Sequence, residues 1–264
     1  MNLKPSFKAL VAVLLAGIAA AACSIKEDRD ECPCWLTVML TDGGRSVPEL
    51  VLSIWNPGEL LREAVRTDDY PEGVERTVPK GLVTLSAHTR LHRMQPSGAL
   101  LLIPDGQECD SLLTHRSEVA CLGETARDTV RLHRQYATVF LSIENLEQGT
   151  HYPYDLVARS SVDGFDLLSG LPHAGAHSLP LVPLSEGEYA FRVPRQLDES
   201  LTLDLYLEGE LIDSYPIGTH ILKAGYDWGA EDLADIRIGM DYGHSEPHIV
   251  IEPWEDGAVY DEII

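Results

Sequence analysis

From position 35 onward, apolar and polar residues alternate in short segments that are separated by turn residues. The alternation is clearest at 137–143, 201–207 and 236–240, where every second residue is apolar. A period of two positions is typical of strands that turn one face to the core and the other to solvent. Further strands are predicted at 35–40, 50–55, 82–87, 99–103 and 248–251.

Glycine and proline mark the ends of these segments, as at Asn56-Pro57-Gly58 and Pro104-Asp105-Gly106. Helical patterning is thin: we predict two turns at 59–66 and a single turn at 230–235. Regular short strands with frequent turns favour β-sandwiches. The sequence therefore predicts an all-β protein of two tandem antiparallel sandwiches, at 35–125 and 126–264, divided in the polar stretch 123–127. No internal sequence repeat is visible.

The N-terminus has the organisation of a secretory signal peptide. Lys4 and Lys8 precede an apolar run at 9–22, which ends in small residues directly before Cys23. The run is too short to span a bilayer comfortably. A cysteine at this place is what a lipoprotein signal peptidase reads, so we expect removal of residues 1–22 and lipidation of Cys23 by a diacylglycerol thioether and an acylated amine. The alternative is ordinary secretion with a free Cys23.

Residues 23–34 are predicted to form a lipidated acidic tether that does not pack. Two or three acyl chains hold a protein on a membrane essentially permanently, because each buried methylene contributes about 0.8 kcal/mol. Lys26, Glu27 and Asp28 stand just behind the lipidated cysteine, as in the surface-export tag of some Gram-negative lipoproteins. We expect a surface-exposed outer-membrane lipoprotein; the alternative for this cluster is a plain spacer.

The charge balance restricts the partners. The full chain has a formal net charge of −22, and removal of residues 1–22 deletes Lys4 and Lys8 and no acid. A surface this acidic repels nucleic-acid phosphates and anionic lipid headgroups. We therefore expect no nucleic-acid partner, and contact with the membrane only through the covalent lipid.

Four cysteines follow Cys23. An oxidising exported setting permits disulfides, and four cysteines allow three pairings. Cys32-Pro33-Cys34 is too tight to bridge to itself comfortably. We predict a disulfide between Cys109 and Cys121, with free thiols as the alternative. A metal site built on the CxC would need Cys109 and Cys121 as its other ligands, and the oxidising setting disfavours it.

Motifs that carry chemistry are missing from the sequence. It contains no GxSxG, HExxH, P-loop or dinucleotide glycine motif. The pairs His88/His92 and His173/His177 lack further ligands at metal spacing, so we predict surface histidines. The acidic C-terminus does not have the spacing of a calcium loop. We expect no enzymatic activity, metal, cofactor or small-molecule substrate. The alternative is a hydrolase, which needs a pocket with convergent polar groups and a shifted pKa.

The tryptophans allow an alternative function. Trp35, Trp55, Trp228 and Trp254 lie in or beside predicted strands, where tryptophan is more often part of the core than of a ligand platform. Two of them on one edge would instead make a sugar-binding surface. A glycan-binding surface lipoprotein is therefore kept as an alternative, and it requires exposed tryptophan or tyrosine side chains.

Three stretches, in this order, carry a family resemblance. The first is Cys23-Ser24-Ile25-Lys26-Glu27-Asp28 running into Glu31-Cys32-Pro33-Cys34. The second is Asp128-Thr129-Val130-Arg131-Leu132-His133-Arg134 leading into Ala137-Thr138-Val139. The third is Ile217-Gly218 through Gly225-Tyr226-Asp227-Trp228 to Ile249-Val250-Ile251-Glu252-Pro253-Trp254. Together they resemble the fimbrillin superfamily, and within it the fimbrium-anchoring lipoprotein subunits.

The resemblance implies two transthyretin-like sandwiches and a structural role, in which the chain holds the base of a fimbrium to the outer membrane. Its partners would be fimbrial pilin subunits, joined by strand exchange. An anchor of this kind would also limit fibre length. Either the C-terminal segment 248–251 or the N-terminal strand 35–40 would be the exchanging edge. A lipidated accessory subunit elsewhere in the fibre is the alternative within the same family.

Overall fold

The computed structural model describes residues 32–40, 47–144, 152–241 and 247–252. The strands of the N-terminal half are β1 (Cys34–Met39), β2 (Glu49–Asn56), β3 (Gly58–Arg66), β4 (Val74–Val78), β5 (Gly81–Thr89), β6 (Gln95–Ser97), β7 (Leu100–Leu102), β8 (Leu113–Cys121), β9 (Thr125–Thr129) and β10 (His133–Arg134). Those of the C-terminal half are β11 (Tyr136–Glu144), β12 (Asp155–Asp166), β13 (Leu171–Pro180), β14 (Glu188–Pro194), β15 (Thr202–Leu207), β16 (Glu210–Tyr215), β17 (Asp235–Asp241) and β18 (Pro247–Glu252). A short 3-10 helix, Thr67–Asp69, follows β3, and one α-helix, α1 (Ile217–Lys223), follows β16. The predicted all-β class is confirmed.

The N-terminal sandwich packs a three-stranded sheet, β4-β1-β9, against a sheet of order β10-β8-β5-β2-β3. Alternate residues of each strand point into the space between the sheets, as their apolar period requires. The core of this sandwich contains Cys34, Leu36, Val38, Leu50, Leu52, Ile54, Val83, Leu85 and Cys121, all without measurable solvent exposure.

The C-terminal sandwich packs β14-β11-β17-β18 against a sheet of order β16-β15-β12-β7-β6, and β13 also pairs with β12. Its core is larger because α1 and the aromatic residues Tyr226 and Trp228 close one side of it. The strands predicted most clearly by alternation supply its centre, with Ala137, Val139, Leu141, Leu201, Leu203, Ile236 and Ile238 at 2% exposure or less.

The two sandwiches repeat one topology. β1 pairs antiparallel with β4 and parallel with β9, and β11 pairs antiparallel with β14 and parallel with β17. In the facing sheets, the order β8-β5-β2-β3 matches β16-β15-β12-β13. The predicted antiparallel sandwiches thus each contain one parallel pair. The repeat is invisible in the sequence because alternation fixes only which face is apolar, and many residues satisfy it.

Strand pairing joins the two halves. β7 pairs antiparallel with β12, and β6 pairs with β7. Two strands from the N-terminal half of the chain therefore belong to a sheet of the C-terminal sandwich. Conversely, β9 pairs with β1 although it spans the predicted division at 125/126, and β10 pairs with β8 although it lies wholly after that division. By pairing, the N-terminal sandwich therefore extends to Arg134. Segments 35–125 and 126–264 do not separate the strands cleanly.

One partly buried and one buried ion pair reinforce this junction. Arg192, on β14, places Nη2 2.6 Å from Oε2 of Glu108, which lies on the stretch before β8. Arg134, at the end of β10, is 1% exposed and pairs with Asp235 at the start of β17. Its guanidinium also donates to Thr138 Oγ1 at 3.1 Å. Breaking the pair between Arg134 and Asp235 is costly because a buried charge would lose its partner.

The helical predictions were wrong. Residues 59–66 form most of the edge strand β3, and 230–235 form a loop that runs into β17. The sequence Gly58–Arg66 contains good helix formers, but pairing with β2 outweighs that weak preference. The α-helix that forms within the described residues, α1, was not predicted from the sequence.

Candidate functional site

The C-terminal strand β18 lies at the edge of a sheet. It pairs with β17 alone among the described residues, in an antiparallel register that places Ile251 opposite Ile236 and Ile249 opposite Ile238. Ile236 and Ile238 are buried in the core beneath the sheet. An edge strand leaves one row of backbone N–H and C=O groups open to another chain. β18 is therefore a C-terminal strand with one open edge among the described residues.

The N-terminal strand β1 occupies a different position. It is the middle strand of its sheet, with β4 on one side and β9 on the other. Leu36 and Val38 are fully buried, so β1 also forms the centre of the N-terminal core. The prediction that 35–40 forms an exchanging edge is therefore wrong, because this strand has no free side to offer.

The lipidation site Cys23 and the export-tag residues Lys26, Glu27 and Asp28 lie outside the described residues and stay predictions. The first strand begins at Cys34, eleven positions after Cys23. At about 3.3–3.6 Å per residue, these positions span at most about 40 Å. In the described part of the chain, no helix is both long and apolar enough to cross a membrane.

The predicted partners Cys109 and Cys121 are not brought together. Cys109 is buried in a cluster at the junction of the sandwiches, beside Leu112 and Phe165, whereas Cys121 is buried in the N-terminal core. Burial raises the pKa of the Cys109 thiol. Cys121 instead faces Cys34, and both are free thiols in the structure. The sequence could not identify this pair because it depends on how two sheets face each other.

The histidines also differ from prediction. His88 and His177 are buried, at 3% and 8% exposure, and not on the surface. Burial lowers the pKa of His88 and favours its neutral form. His173 Nδ1 lies 2.6 Å from Asp163 Oδ1, at hydrogen-bonding distance. Within the described ranges, no three His, Cys, Asp or Glu side chains converge in a way that would hold a metal ion.

One cluster contains the residue types of a catalytic triad, but not its arrangement. Ser117 donates to Oδ2 of Asp128, and His115 Nε2 lies 3.5 Å from the same oxygen. In a triad the histidine stands between serine and aspartate and activates the serine. Here both converge on the carboxylate. Partial burial raises the pKa of Asp128, but the hydrogen bonds from His115 and Ser117 outweigh it and lower the pKa to about 2.

The tryptophans divide between core and surface. Trp55 and Trp228 are buried, at 5% and 7% exposure, and Trp55 Nε1 donates to Ser86 Oγ at 3.1 Å. Trp35 is 55% exposed on the outer face of β1, and Trp254 lies outside the described residues. A two-tryptophan sugar platform is therefore not formed by the three described tryptophans.

An aromatic cleft does occur in the C-terminal sandwich. It has a volume of about 150 Å³ and is lined by Tyr152, Tyr154 and Tyr189 together with the polar side chains of Asp155 and Glu186. The rings of Tyr152 and Tyr154 meet edge to face, with centroids 5.4 Å apart. Aromatic faces beside carboxylates suit a polar ligand such as a sugar. The sequence analysis missed this cleft because Tyr189, on β14, is far in the chain from Tyr152 and Tyr154, which precede β12.

No protein-family model matches the chain, and no curated protein matches it. Solved structures do. A protein from Bacteroides thetaiotaomicron, provisionally described as polysaccharide-binding, superposes with a TM-score of 0.59 at 14% identity, over 85% of this chain and 97% of that chain. A protein from Bacteroides ovatus, provisionally described as an adhesin, gives a TM-score of 0.57 at 14% identity over 88% and 98%.

The fimbrial anchor protein Mfa2 from Porphyromonas gingivalis gives a TM-score of 0.54 at 14% identity, over 84% of this chain and 98% of that chain. Matches that span nearly the whole of each neighbour concern the entire fold and not one sandwich. At this level of identity the similarity establishes the fold alone. The fold expected from the resemblance in sequence is thereby confirmed: this chain has the architecture of Bacteroides adhesin-like proteins and of a fimbrial anchor protein.

Proposed function

We propose that this chain is a lipid-anchored outer-membrane subunit that holds a fimbrium to the cell surface. Cys23 carries the lipid, Lys26, Glu27 and Asp28 direct export to the surface, and β18 joins the chain to a pilin by strand exchange. The observation that carries the proposal is the position of β18, a C-terminal strand on the open edge of a sheet, in a fold similar to that of a fimbrial anchor protein.

Strand exchange suits the energetics of this edge. β18 is held by one ladder with β17, so transfer to a partner's sheet replaces that ladder with two new neighbours. The partner gains backbone hydrogen bonds and cover for its apolar groove. Inter-subunit joints of this kind have many simultaneous backbone bonds and therefore resist detergent.

The same reasoning supports a role at the end of a fibre. A subunit inside the fibre must both donate a strand and accept one, since head-to-tail contacts propagate as open chains. In this chain the middle position of the N-terminal sheet is already filled by β1. A subunit that donates β18, and whose N-terminal sheet already contains β1, would end the fibre, and its lipid would fix that end to the membrane. Fibre length would then depend on how much anchor is present.

The proposal is tested on the full-length chain in fimbriated cells. Outer membranes are solubilised in detergent, and antibodies to this chain are used to probe gels of unheated and boiled samples. We expect a ladder in the unheated sample that contains a pilin and collapses to a monomer on boiling. A monomer in both samples would contradict the strand-exchange joint.

Two truncations sharpen this test. Removal of 247–264 deletes β18, whereas removal of 253–264 leaves it in place. We expect the first truncation to lose the heat-sensitive ladder and the second to keep it. Val250→Pro is a milder change that removes one backbone donor in the middle of β18. A melting curve for each variant separates loss of the joint from loss of the fold, and Cys23→Ala reports the lipid anchor separately by release from the membrane fraction.

Glycan binding is a second candidate, and the tyrosine cleft favours it. One structural neighbour is provisionally described as polysaccharide-binding. Its test is calorimetric titration of the purified chain with surface oligosaccharides. Binding that is lost in Tyr154→Ala and kept in Tyr206→Ala, which changes a tyrosine on another strand, would support this function. The absence of binding heat with every sugar would refute glycan binding.

A further inference from the structure

Two buried cysteines face each other across the N-terminal sandwich. Cys34 is the first residue of β1 and Cys121 the last residue of β8, so they belong to opposite sheets. Both side chains have no solvent exposure and belong to the same apolar core. The two thiols are near enough that Cys34 contributes to the raised pKa of Cys121.

The register of the surrounding strands explains why they meet. Cys34 stands opposite Val78 on β4, and Cys121 stands opposite Gly81 on β5. Val78 and Gly81 are separated by only two residues, so the tight β4–β5 connection brings both cysteines to the same end of the sandwich.

A second short connection reaches the same place. After β8 the chain turns back within three residues, and the Trp35 N–H donates to the Glu124 carbonyl oxygen at 2.8 Å. Cys34 and Cys121 are therefore held from both sides, by β4–β5 and by β8–β9. Two inward-facing cysteines on facing sheets, fixed in this way, are placed for a covalent bridge.

We propose that Cys34 and Cys121 form a disulfide that joins the two sheets of the N-terminal sandwich. One cysteine, as thiolate, attacks a disulfide-bonded oxidant, either an exported oxidoreductase or a small disulfide such as oxidised glutathione, and releases one reduced thiol. The second cysteine then attacks the mixed disulfide and releases the other thiol. The pair loses two electrons and two protons, and the oxidant is reduced to two thiols.

The burial of the pair determines when the bond forms. Burial, followed by the neighbouring Cys34, raises the pKa of Cys121 to about 12, so Cys121 in the folded chain contains little thiolate at neutral pH. Oxidation therefore takes place while the sandwich is still closing. Once formed, the bond is out of reach of external thiols.

The remaining cysteines have different fates. Cys109 is alone in the junction cluster, where no second cysteine lies in the same apolar core. Cys32 is exposed just before β1. Among the described cysteines, the disulfide therefore leaves one accessible thiol, Cys32, and one inaccessible thiol, Cys109.

Peptide mapping tests the bond directly. The full-length chain is purified from membranes in the presence of N-ethylmaleimide and digested with trypsin without reduction. We expect peptide 30–45, which contains Cys32 and Cys34, to be linked to peptide 117–127, which contains Cys121, and peptide 94–116, which contains Cys109, to be unlinked. A link to 94–116, or full alkylation of all three peptides without reduction, would overturn the proposal.

Variants assign the bond within peptide 30–45. The link should survive in Cys32→Ser and be lost in Cys34→Ala. Dithiothreitol present during unfolding should lower the melting temperature of the wild type and of Cys109→Ala, which also removes a buried thiol, but not that of Cys34→Ala. Equal sensitivity of all three proteins to dithiothreitol would refute the assignment.

The native bond rests on the export that forms part of the proposed function. A second experiment tests the disulfide independently of the proposed function. The reduced, unfolded chain is refolded in a glutathione redox buffer, where export plays no part. We expect the same linked peptide there, and its absence would overturn the bridge on geometric grounds. Failure of the fimbrial role would instead appear as a missing pilin ladder, with the disulfide intact.

Discussion

The carboxylate of Asp110 offers the sharpest test of how the junction between the sandwiches is held. Asp110 is 3% exposed. Its oxygens accept the backbone N–H groups of His92 at 3.0 Å, Arg93 at 3.1 Å and Met94 at 2.9 Å. These three residues form the connection that carries the chain from β5 to β6, the strand that continues into the C-terminal sheet. One side chain therefore fixes the path of the chain between the sandwiches.

The stability lost on removing the Asp110 carboxylate can be worked out from its three hydrogen bonds. Each hydrogen bond to a charged acceptor contributes about 1.5–3 kcal/mol, and a buried donor left without a partner costs about 1–3 kcal/mol. Water can reach two of the donors in part, so the costs do not simply add. We expect Asp110→Ala to lower the free energy of unfolding by about 3–5 kcal/mol. Asp110→Asn keeps one acceptor oxygen and should cost about half as much.

The assay is denaturation in urea or guanidinium chloride, followed by circular dichroism, with the midpoint and slope compared between variants. Asp68→Ala is the matched control, because it removes an exposed aspartate and should change stability by less than about 0.5 kcal/mol. A loss below about 1 kcal/mol for Asp110→Ala would refute the reasoning, since it would mean that water replaces this carboxylate at almost no cost.

Three further predictions concern the junction, pH and the proposed disulfide. In Gly164→Ala the new Cβ would lie 2.4 Å from the backbone oxygen of Leu101 on β7, so we expect the free energy of unfolding measured by denaturant titration to fall by about 2–3 kcal/mol. Gly58→Ala should change it little, because nothing lies within 4 Å of the added Cβ. The pKa of Asp128 is lowered to about 2, so its ionised form stabilises the fold above about pH 4, and this stabilisation is lost as the pH falls toward 2. We expect the free energy of unfolding to fall by about 1–2 kcal/mol over this range, after allowance for the partial exposure of Asp128. The pH profile of Asp128→Asn should lack this loss. A disulfide between Cys34 and Cys121 closes a loop of nearly ninety residues, so its reduction should cost about 4–5 kcal/mol by the chain-entropy relation, and an unchanged denaturation midpoint after reduction would contradict it.

Much of the fold could be predicted from local pattern. The alternation at 137–143 and 201–207 correctly identified the faces that form the C-terminal core, because a strand buries every second side chain whichever sheet it joins. Turn residues correctly predicted two chain reversals. Asn56-Pro57-Gly58 joins β2 to β3, and in the turn that begins at Pro104 the Gln107 N–H donates to the Pro104 carbonyl oxygen at 3.1 Å.

Local pattern failed where a neighbouring strand decides the outcome. The segment Gly58–Arg66 has helical residue preferences, yet β2 offers it a complete ladder of backbone partners, and it becomes a strand. Alternation also placed Asp204 on the solvent face of β15. The structure covers it with Arg159, whose Nε lies 2.5 Å from Oδ2, so that Asp204 is only 5% exposed.

The sequence by itself determined the all-β class, the positions of most strands and the absence of catalytic motifs, because these depend on residues that are near each other in the chain. Only the tertiary structure decided which strands are edges, that β7 crosses into the other sandwich and that Cys121 faces Cys34. Those features depend on which strands pair and which sheets face, and residues far apart in sequence set both. The candidate attachment edge at β18 is of this second kind, since a strand becomes an edge only through the neighbours that it lacks.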